Sequence, residues 1–204
     1  MIPPEWSTLK KAKGAKLPHW TCDYAIYQVC FRLADSIPLA MQKKWNEEKK
    51  LIWNSDGTLK KFLDPDEYKR LKFLFSNKID AFLDAGYGEC ILKDPKAAEI
   101  VKNAMDYFDG RRYKLHAWSI MPNHVHTIVE PLADFKLSKI IHSWKSFTAN
   151  QINRQQNRKG QLWQRETYDH IIRTEVEYWD QIDYVWNNPV KAGLSHSLRW
   201  RIDS

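Results

Sequence analysis

Apolar and polar positions along the chain fall into stretches of two different periods. Asp23 to Leu33 (DYAIYQVCFRL) is dense in aromatic and branched residues and predicts a strand, closed by Ala34-Asp35-Ser36. Tyr113 to Ile120 (YKLHAWSI) predicts a second, and His124 to Val129 a third, with Met121-Pro122-Asn123 as the punctuation between them. Glu89 to Leu92 is a short further candidate. From Pro38 to about Gly86 the period turns helical, interrupted by the turn signal Asn54-Ser55-Asp56-Gly57. Asp64-Pro65-Asp66 starts its second segment with an N-cap and a proline at the first helical position. Asp94-Pro95 opens another helix, running to Asp109-Gly110. Phe135 to Arg154 reads as a long helix, Gln155 to Gly160 as a polar loop, and Leu162 to Arg173 as extended chain. Thr174 caps a last helix that should stop near Asn188, since Pro189 disfavours continuation.

Helices interleaved with a few central strands predict an α+β domain with helices packed on one sheet. A chain of 204 residues suits one domain with a proper core. That domain is expected over 23–195, with a helical elaboration at about 38–88. Residues 1–22 are expected as an arm, loosely held from Pro3 to Pro18, and 196–204 as a tail. No run is long and apolar enough to span a bilayer, and the first residues do not read as a secretory signal. Cys22, Cys30 and Cys90 lack the paired spacing of a zinc site or disulfide frame, so they read as reduced thiols of a cytoplasmic protein. The 32 Lys and Arg against 25 Asp and Glu give a net charge of +7. Such a surplus attracts polyanions, although many proteins are mildly basic.

His124-Val125-His126 is the first constellation with chemistry in it. Residues i and i+2 of a strand share a face, so both imidazoles can meet one cation while Val125 points with Thr127 and Val129 toward a core. Two structural histidines that happen to alternate are the other reading. The continuation Thr127-Ile128 does not match a metallo-β-lactamase-like site, and the chain does not offer the eight strand–helix units of a barrel amidohydrolase.

On a helical wheel, Tyr178, Trp179, Ile182, Val185 and Trp186 form the core side of the last helix. Tyr184 falls opposite, with Glu177, Gln181 and Asn188. A tyrosine excluded from the apolar stripe has a claim to function, or is an ordinary surface residue. Asn188 lies one turn after Tyr184, and its amide oxygen suits a cation already held by two imidazoles. Its alternative role is a C-cap before Pro189.

The segments HAWSIMPNHVHTIVEPL, LSKIIHSWKSFTANQINR, LWQRETYDHIIR and DYVWNNPVKAGL, in this order, resemble the REP-associated tyrosine transposases of the IS200-like, single-tyrosine HUH superfamily. The resemblance covers Tyr113 to Leu194, with Asp23 to Leu33 as a first strand. It implies a ferredoxin-like central antiparallel sheet, the HUH endonuclease fold, and a metal-dependent single-strand DNA endonuclease and strand transferase. It carries the metal pair onto His124 and His126 and the nucleophile onto Tyr184, and suggests Asn188 as third ligand. It also implies Mg²⁺ or Mn²⁺ as cofactor, single-stranded or hairpin DNA as partner, a 5′-phosphotyrosine intermediate, and the monomeric state of the REP-associated branch, with the IS200-type dimer of exchanged tyrosines as the alternative. Tyr168 is the competing tyrosine, expected to pack or to contact DNA.

Phosphate contacts are expected from Lys136, Lys139 and Arg154 on the long helix, with His142, Ser143, Ser146 and Asn150. Ile140, Ile141, Trp144, Phe147 and Ile152 form that helix's buried stripe. Arg111, Arg112 and Lys114 form another basic cluster, and Arg158-Lys159 a third. Plain solvation is the alternative for each. The chain departs from the family in the helical stretch Leu39 to Gly86, an elaboration that reads hairpin DNA or packs on the core.

Overall fold

The computed structural model describes residues 5–13, 18–52, 79–132, 134–194 and 198–202. The turn at Asn54–Gly57 and the helix start at Asp64 lie outside them. β1 (Glu5–Lys13) and β2 (Pro18–Asp23) pair as an antiparallel hairpin with a register irregularity between Glu5 and Lys10. The arm expected over 1–22 thus contains a paired hairpin. Strand pairing is satisfied here by backbone hydrogen bonds between two chain segments, which needs no apolar period in either. Tyr24, with φ of 57°, turns the chain out of β2, so the next strand begins at Tyr27 rather than Asp23.

β3 (Tyr27–Arg32) alternates buried and half-buried positions, as a strand between two packed layers should. α1 (Leu39–Ile52) follows, and a helical turn covers 79–84. Glu89 to Leu92 is no strand: Cys90 takes a left-handed conformation, and Ile91–Lys93 form a 3-10 turn that buries Ile91 and Leu92. α2 (Pro95–Asp106) starts as expected, with the Asp94 carboxylate accepting from the Lys96 N–H at 3.0 Å and proline at the first position.

β4 (Tyr113–Ile120) and β5 (His124–Pro131) form a hairpin, and α3 (Leu137–Gln155) crosses back to β6 (Tyr168–Ile171). α4 (Glu175–Lys191) is capped by Thr174, whose hydroxyl accepts from the Glu177 N–H at 3.1 Å. β7 (Arg199–Arg201) then pairs with β4, so the expected tail carries an edge strand. The sheet order is β6-β3-β5-β4-β7, with every neighbouring pair antiparallel. Without β7 this is the split βαββαβ of a ferredoxin-like fold, which places β5 in the middle of the sheet.

The two faces of that sheet bury different things. Val29, Phe31, Val125 and Val129 face α2 and α3, with Val101, Met105, Ile140 and Trp144 in the main core. Phe147, expected there, is 51% exposed, and Thr148 takes the buried position. Tyr113 ties this layer together: its hydroxyl donates to the Met105 carbonyl at 2.5 Å and accepts from the Trp144 indole N–H at 2.8 Å. Tyr113→Phe is expected to lower stability by about 1–3 kcal/mol, read from urea denaturation midpoints, because it strands a buried indole donor. The other face packs Ile26, Ala117 and Ile128 against Tyr178, Ile182 and Val185 of α4.

α4 does not stop at Asn188. It continues to Lys191 with Pro189 inside it. Proline forfeits its own bond to the Val185 carbonyl, but the last turn is closed by the Ala192 N–H on the Asn188 carbonyl and the Gly193 N–H on that of Val190. Asn188 is therefore interior to the helix, and its side chain is not a cap.

Candidate active site

Strand pairing alone assembles the floor of the site. On β5, His124 and His126 point away from the main core, as their spacing predicts. Their register partners on the same face are Arg32 and Cys30 of β3 and, beside His126, Ser119 of β4. The two imidazoles are essentially fully buried, with ring centroids 4.8 Å apart at 88°. Burial holds both neutral: His126 is pushed down to about 4, and His124 well below its usual value by burial first and by His126 second.

Neutral imidazoles carry lone pairs, and here those lone pairs are unclaimed. The Asn123 amide oxygen lies 2.8 Å from His124 Nδ1, which fixes Nδ1 as the protonated nitrogen and leaves Nε2 the acceptor. His124 Nε2 and both nitrogens of His126 are buried without a hydrogen-bond partner. Asn123 is itself anchored, donating to the Tyr87 carbonyl at 2.9 Å. The loop that supplies this carbonyl depends on Gly88, at φ +89°, where a Cβ would come within 2.9 Å of Asp35. The Asp35 carboxylate accepts from the adjacent Glu89 N–H at 2.8 Å.

α4 forms the lid over this floor. Tyr184 is half-buried, its ring 5.5 Å from that of His126 at 87°. Asn188, one turn on, is 2% exposed, and its amide oxygen has no hydrogen-bond partner. The wheel thus grouped Tyr184 and Asn188 correctly but set them on an outer face. That face is turned toward the histidines, while Trp179, assigned to the core, is 36% exposed. Tyr168 sits on β6 opposite Cys30, two strand spacings, about 10 Å, from the His126 position. Tyr184, not Tyr168, is the tyrosine in contact with the pair.

The sequence reading missed two carboxylates. The turn at 79–84 packs Ile79, Phe82 and Leu83 with Ile37 and Trp45, which leaves Asp80 and Asp84 together on the remaining face. Asp80 accepts from the Tyr184 hydroxyl at 2.9 Å. The Asp84 carboxylate lies 3.9 Å from His124 Nε2, too far for a hydrogen bond and beside a neutral ring, so the contact is not an ion pair. Their i, i+4 spacing was the one visible signal. Arg32, which donates to the Ser36 hydroxyl at 3.0 Å, was missed as well; it is the cation directly across the strand from His124.

The carboxylates raise the free energy of the charged site. Burial, then Asp80, pushes Asp84 from the usual 3.8 up to about 6, with Lys191 acting in the opposite direction. Between those values the folded chain holds a proton that the unfolded chain has released, so this group favours folding as pH falls through 6 and opposes it above. Asp84→Asn is accordingly expected to stabilise the metal-free protein at pH 8 by on the order of 2 kcal/mol. The gain should shrink between pH 6 and 4 in thermal melts taken with a chelator. A gain independent of pH would contradict the assignment.

The donor set of two neutral imidazoles and an amide oxygen, each with an unclaimed buried atom, fits a divalent cation. Among the described residues no group of three or more His, Cys, Asp or Glu could hold a metal ion.

The expected phosphate contacts do not converge on this site. Tyr113 pairs with Pro131 and Ile120 with Val125, so the start of β4 is at the end of the hairpin remote from His124. Arg111, Arg112 and Lys114 flank that remote end, and Lys136 and Lys139 open α3 beside it. There Arg112 lies 3.5 Å over the Phe108 ring, and Phe135 and Lys139 line a small cavity of about 50 Å³ with it. Arg154 is exposed near the other end of α3, with Lys159 just beyond it. Arg158 is paired with Glu89, in the same loop that supplies the Tyr87 carbonyl.

Comparison with known proteins finds the family described as "Transposase IS200 like" over residues 86–186. A Haemophilus influenzae protein assigned as a candidate REP-associated tyrosine transposase is 31% identical over 84 residues, 36% of this chain and 48% of that one. The REP-associated tyrosine transposase of Escherichia coli is 31% identical over 84 residues, 41% of this chain and 48% of that one. The chain thus matches about half the length of these curated relatives. A solved structure of a REP-associated tyrosine transposase bound to a REP hairpin is similar at a TM-score of 0.46 and 14% identity, over 90% of this chain and 74% of that one.

Proposed function

Since residues 86–186 place this chain in the IS200-like transposase family, we propose that it is a metal-dependent single-strand DNA endonuclease and strand transferase working through a 5′-phosphotyrosine. The observation that carries this reading is the contact of Tyr184 with His126, under an amide oxygen and three imidazole nitrogens that have no protein partner. A pure DNA-binding protein has no use for such a set.

His124, His126 and Asn188 would hold Mg²⁺ or Mn²⁺. When bound, the cation supplies Lewis-acid polarisation of the scissile phosphate. Tyr184 attacks phosphorus and the 3′-oxygen leaves; because the phosphodiester energy is kept, a later 3′-hydroxyl can reverse the step and rejoin strands. Arg32, across the strand from His124, and Lys191, beside the Tyr184 ring, would balance phosphate charge there. Arg111, Arg112, Lys114, Lys136 and Lys139 hold DNA at a distance from the cut, as a hairpin stem would require, with Arg154, Arg158 and Lys159 at the opposite end of α3.

One chain supplies both histidines and the adjacent tyrosine, which supports a monomer as the working unit. A cytoplasmic location goes with this reading; no helix among the described residues is long and apolar enough to cross a membrane. The test is covalent trapping: labelled single-stranded hairpin oligonucleotides and Mn²⁺ are incubated with the protein and run on a denaturing gel. A band shifted by the mass of the DNA supports the reading. Cutting with no adduct would mean a water-activating phosphoesterase.

A further inference from the structure

A phenol is a poor nucleophile until its proton leaves. The proton therefore needs an acceptor within hydrogen-bond reach of the oxygen. His126 touches the Tyr184 ring, but a cation held by the pair would take up its lone pair. The hydroxyl instead donates to Asp80 Oδ2 at 2.9 Å. This carboxylate comes from the helical elaboration, 104 residues earlier in the chain, and lies outside the segment that matches the family.

Resting on the reading of Tyr184 as nucleophile, we infer that Asp80 is the general base of strand cleavage, taking the phenolic proton as the oxygen attacks phosphorus. The bond formed is Oη–P and the bond broken is P–O3′. The proton ends on Asp80, and the departing 3′-oxygen takes one from solvent. Rejoining runs the same path backwards, with protonated Asp80 returning its proton to the tyrosine oxygen.

The packing of the turn suits this role. Ile79, Phe82 and Leu83 fix its backbone against Ile37 and Trp45, so Asp80 is held rather than swung in from solvent. The groups that face it are Asp84 of its own turn, Cys30 of β3, Tyr168 of β6 and Tyr184 of α4, while Lys191 of α4 acts on Asp84. Burial of the Asp80 carboxylate raises its proton affinity, and the Tyr184 hydrogen bond opposes that. A raised carboxylate is a better match to a phenol than an exposed one.

The experiment is single-turnover formation of the covalent adduct on a hairpin oligonucleotide that the wild type cuts, at saturating Mn²⁺ and from pH 6 to 9. The wild-type rate should be nearly level wherever Asp80 is charged. Asp80→Asn should be slower by on the order of 10²–10³-fold at pH 7 and should recover about tenfold per pH unit, as hydroxide takes over the proton. DNA affinity and the Mn²⁺-induced rise in Tm should match wild type, which a merely structural role would not leave intact. Asp80→Glu should stay within about tenfold of wild type with a level profile above pH 7. An Asp80→Asn rate within threefold of wild type, or above it, overturns the inference. Should Asp80→Asn fail to fold, a tenfold-per-unit slope in Asp80→Glu overturns it equally. Continued cutting by Tyr184→Phe would instead overturn the nucleophile itself, and so separates the two failures.

Discussion

Tyr184→Phe is expected to abolish the covalent protein–DNA adduct and to slow strand cleavage by on the order of 10⁴-fold or more. The substitution removes one oxygen and leaves the ring that packs edge-on against His126. The nucleophile is lost while the walls of the site stay in place, so DNA affinity should change by less than about threefold. Folding should change by only about 1 kcal/mol, since the hydrogen bond lost is to a half-buried carboxylate that can meet water. The measurement is quantified adduct and cut product on one denaturing gel, beside a binding isotherm. Cleavage within tenfold of wild type would remove Tyr184 from the mechanism, and Tyr168 would not replace it, being two strands away from His126.

What could be read in the sequence follows from how each element earns its stability. β3, β4 and β5 are buried on both faces, so their runs of branched and aromatic residues were visible. β1, β2 and β7 are held by backbone pairing at margins of the structure, and polar, lysine-bearing sequences such as STLKKAK leave no period to detect. The histidine pair was legible because strand geometry is local: i and i+2 always share a face. The orientation of α4 was only half legible. A wheel shows which residues travel together, but not that a polar face can be turned inward when the facing sheet is itself polar, as it is at His124, His126 and Ser119. Asp80 and Asp84 escaped because their partners lie far along the chain and only tertiary packing brings them together.

The site also explains why the carboxylates are tolerated. Two acids near a phosphate-binding position would repel DNA if they stood alone. Lys191 lies 5.4 Å from the Tyr184 ring centroid and lowers the cost of charging Asp84, and a cation held by the histidines would offset the remainder. On the proposed reading the carboxylates, Tyr184 and a cation at the histidines are interdependent, each costly without the others.

That balance gives the metal a thermodynamic signature that needs no DNA. Mn²⁺ at about 100 times its Kd should stabilise the wild type by about 2.7 kcal/mol, which for a chain of this size is a rise in Tm of about 5–11 °C. His126→Ala should erase that rise and lower cleavage by on the order of 10²-fold or more, because it deletes one of two imidazoles whose lone pairs face the site. Its own folding cost should be modest for so buried a residue. The truncation leaves a cavity, but it also removes two polar atoms that have no hydrogen-bond partner in the metal-free protein, and the two effects oppose one another. Differential scanning calorimetry with and without Mn²⁺, on wild type and His126→Ala, reads both quantities. A wild type that cuts DNA in the presence of a chelator, or a His126→Ala protein that keeps the full Mn²⁺-induced rise, would show that the pair does not hold the metal. Loss of the rise together with loss of cleavage would tie the buried, neutral state of these histidines directly to the chemistry they support.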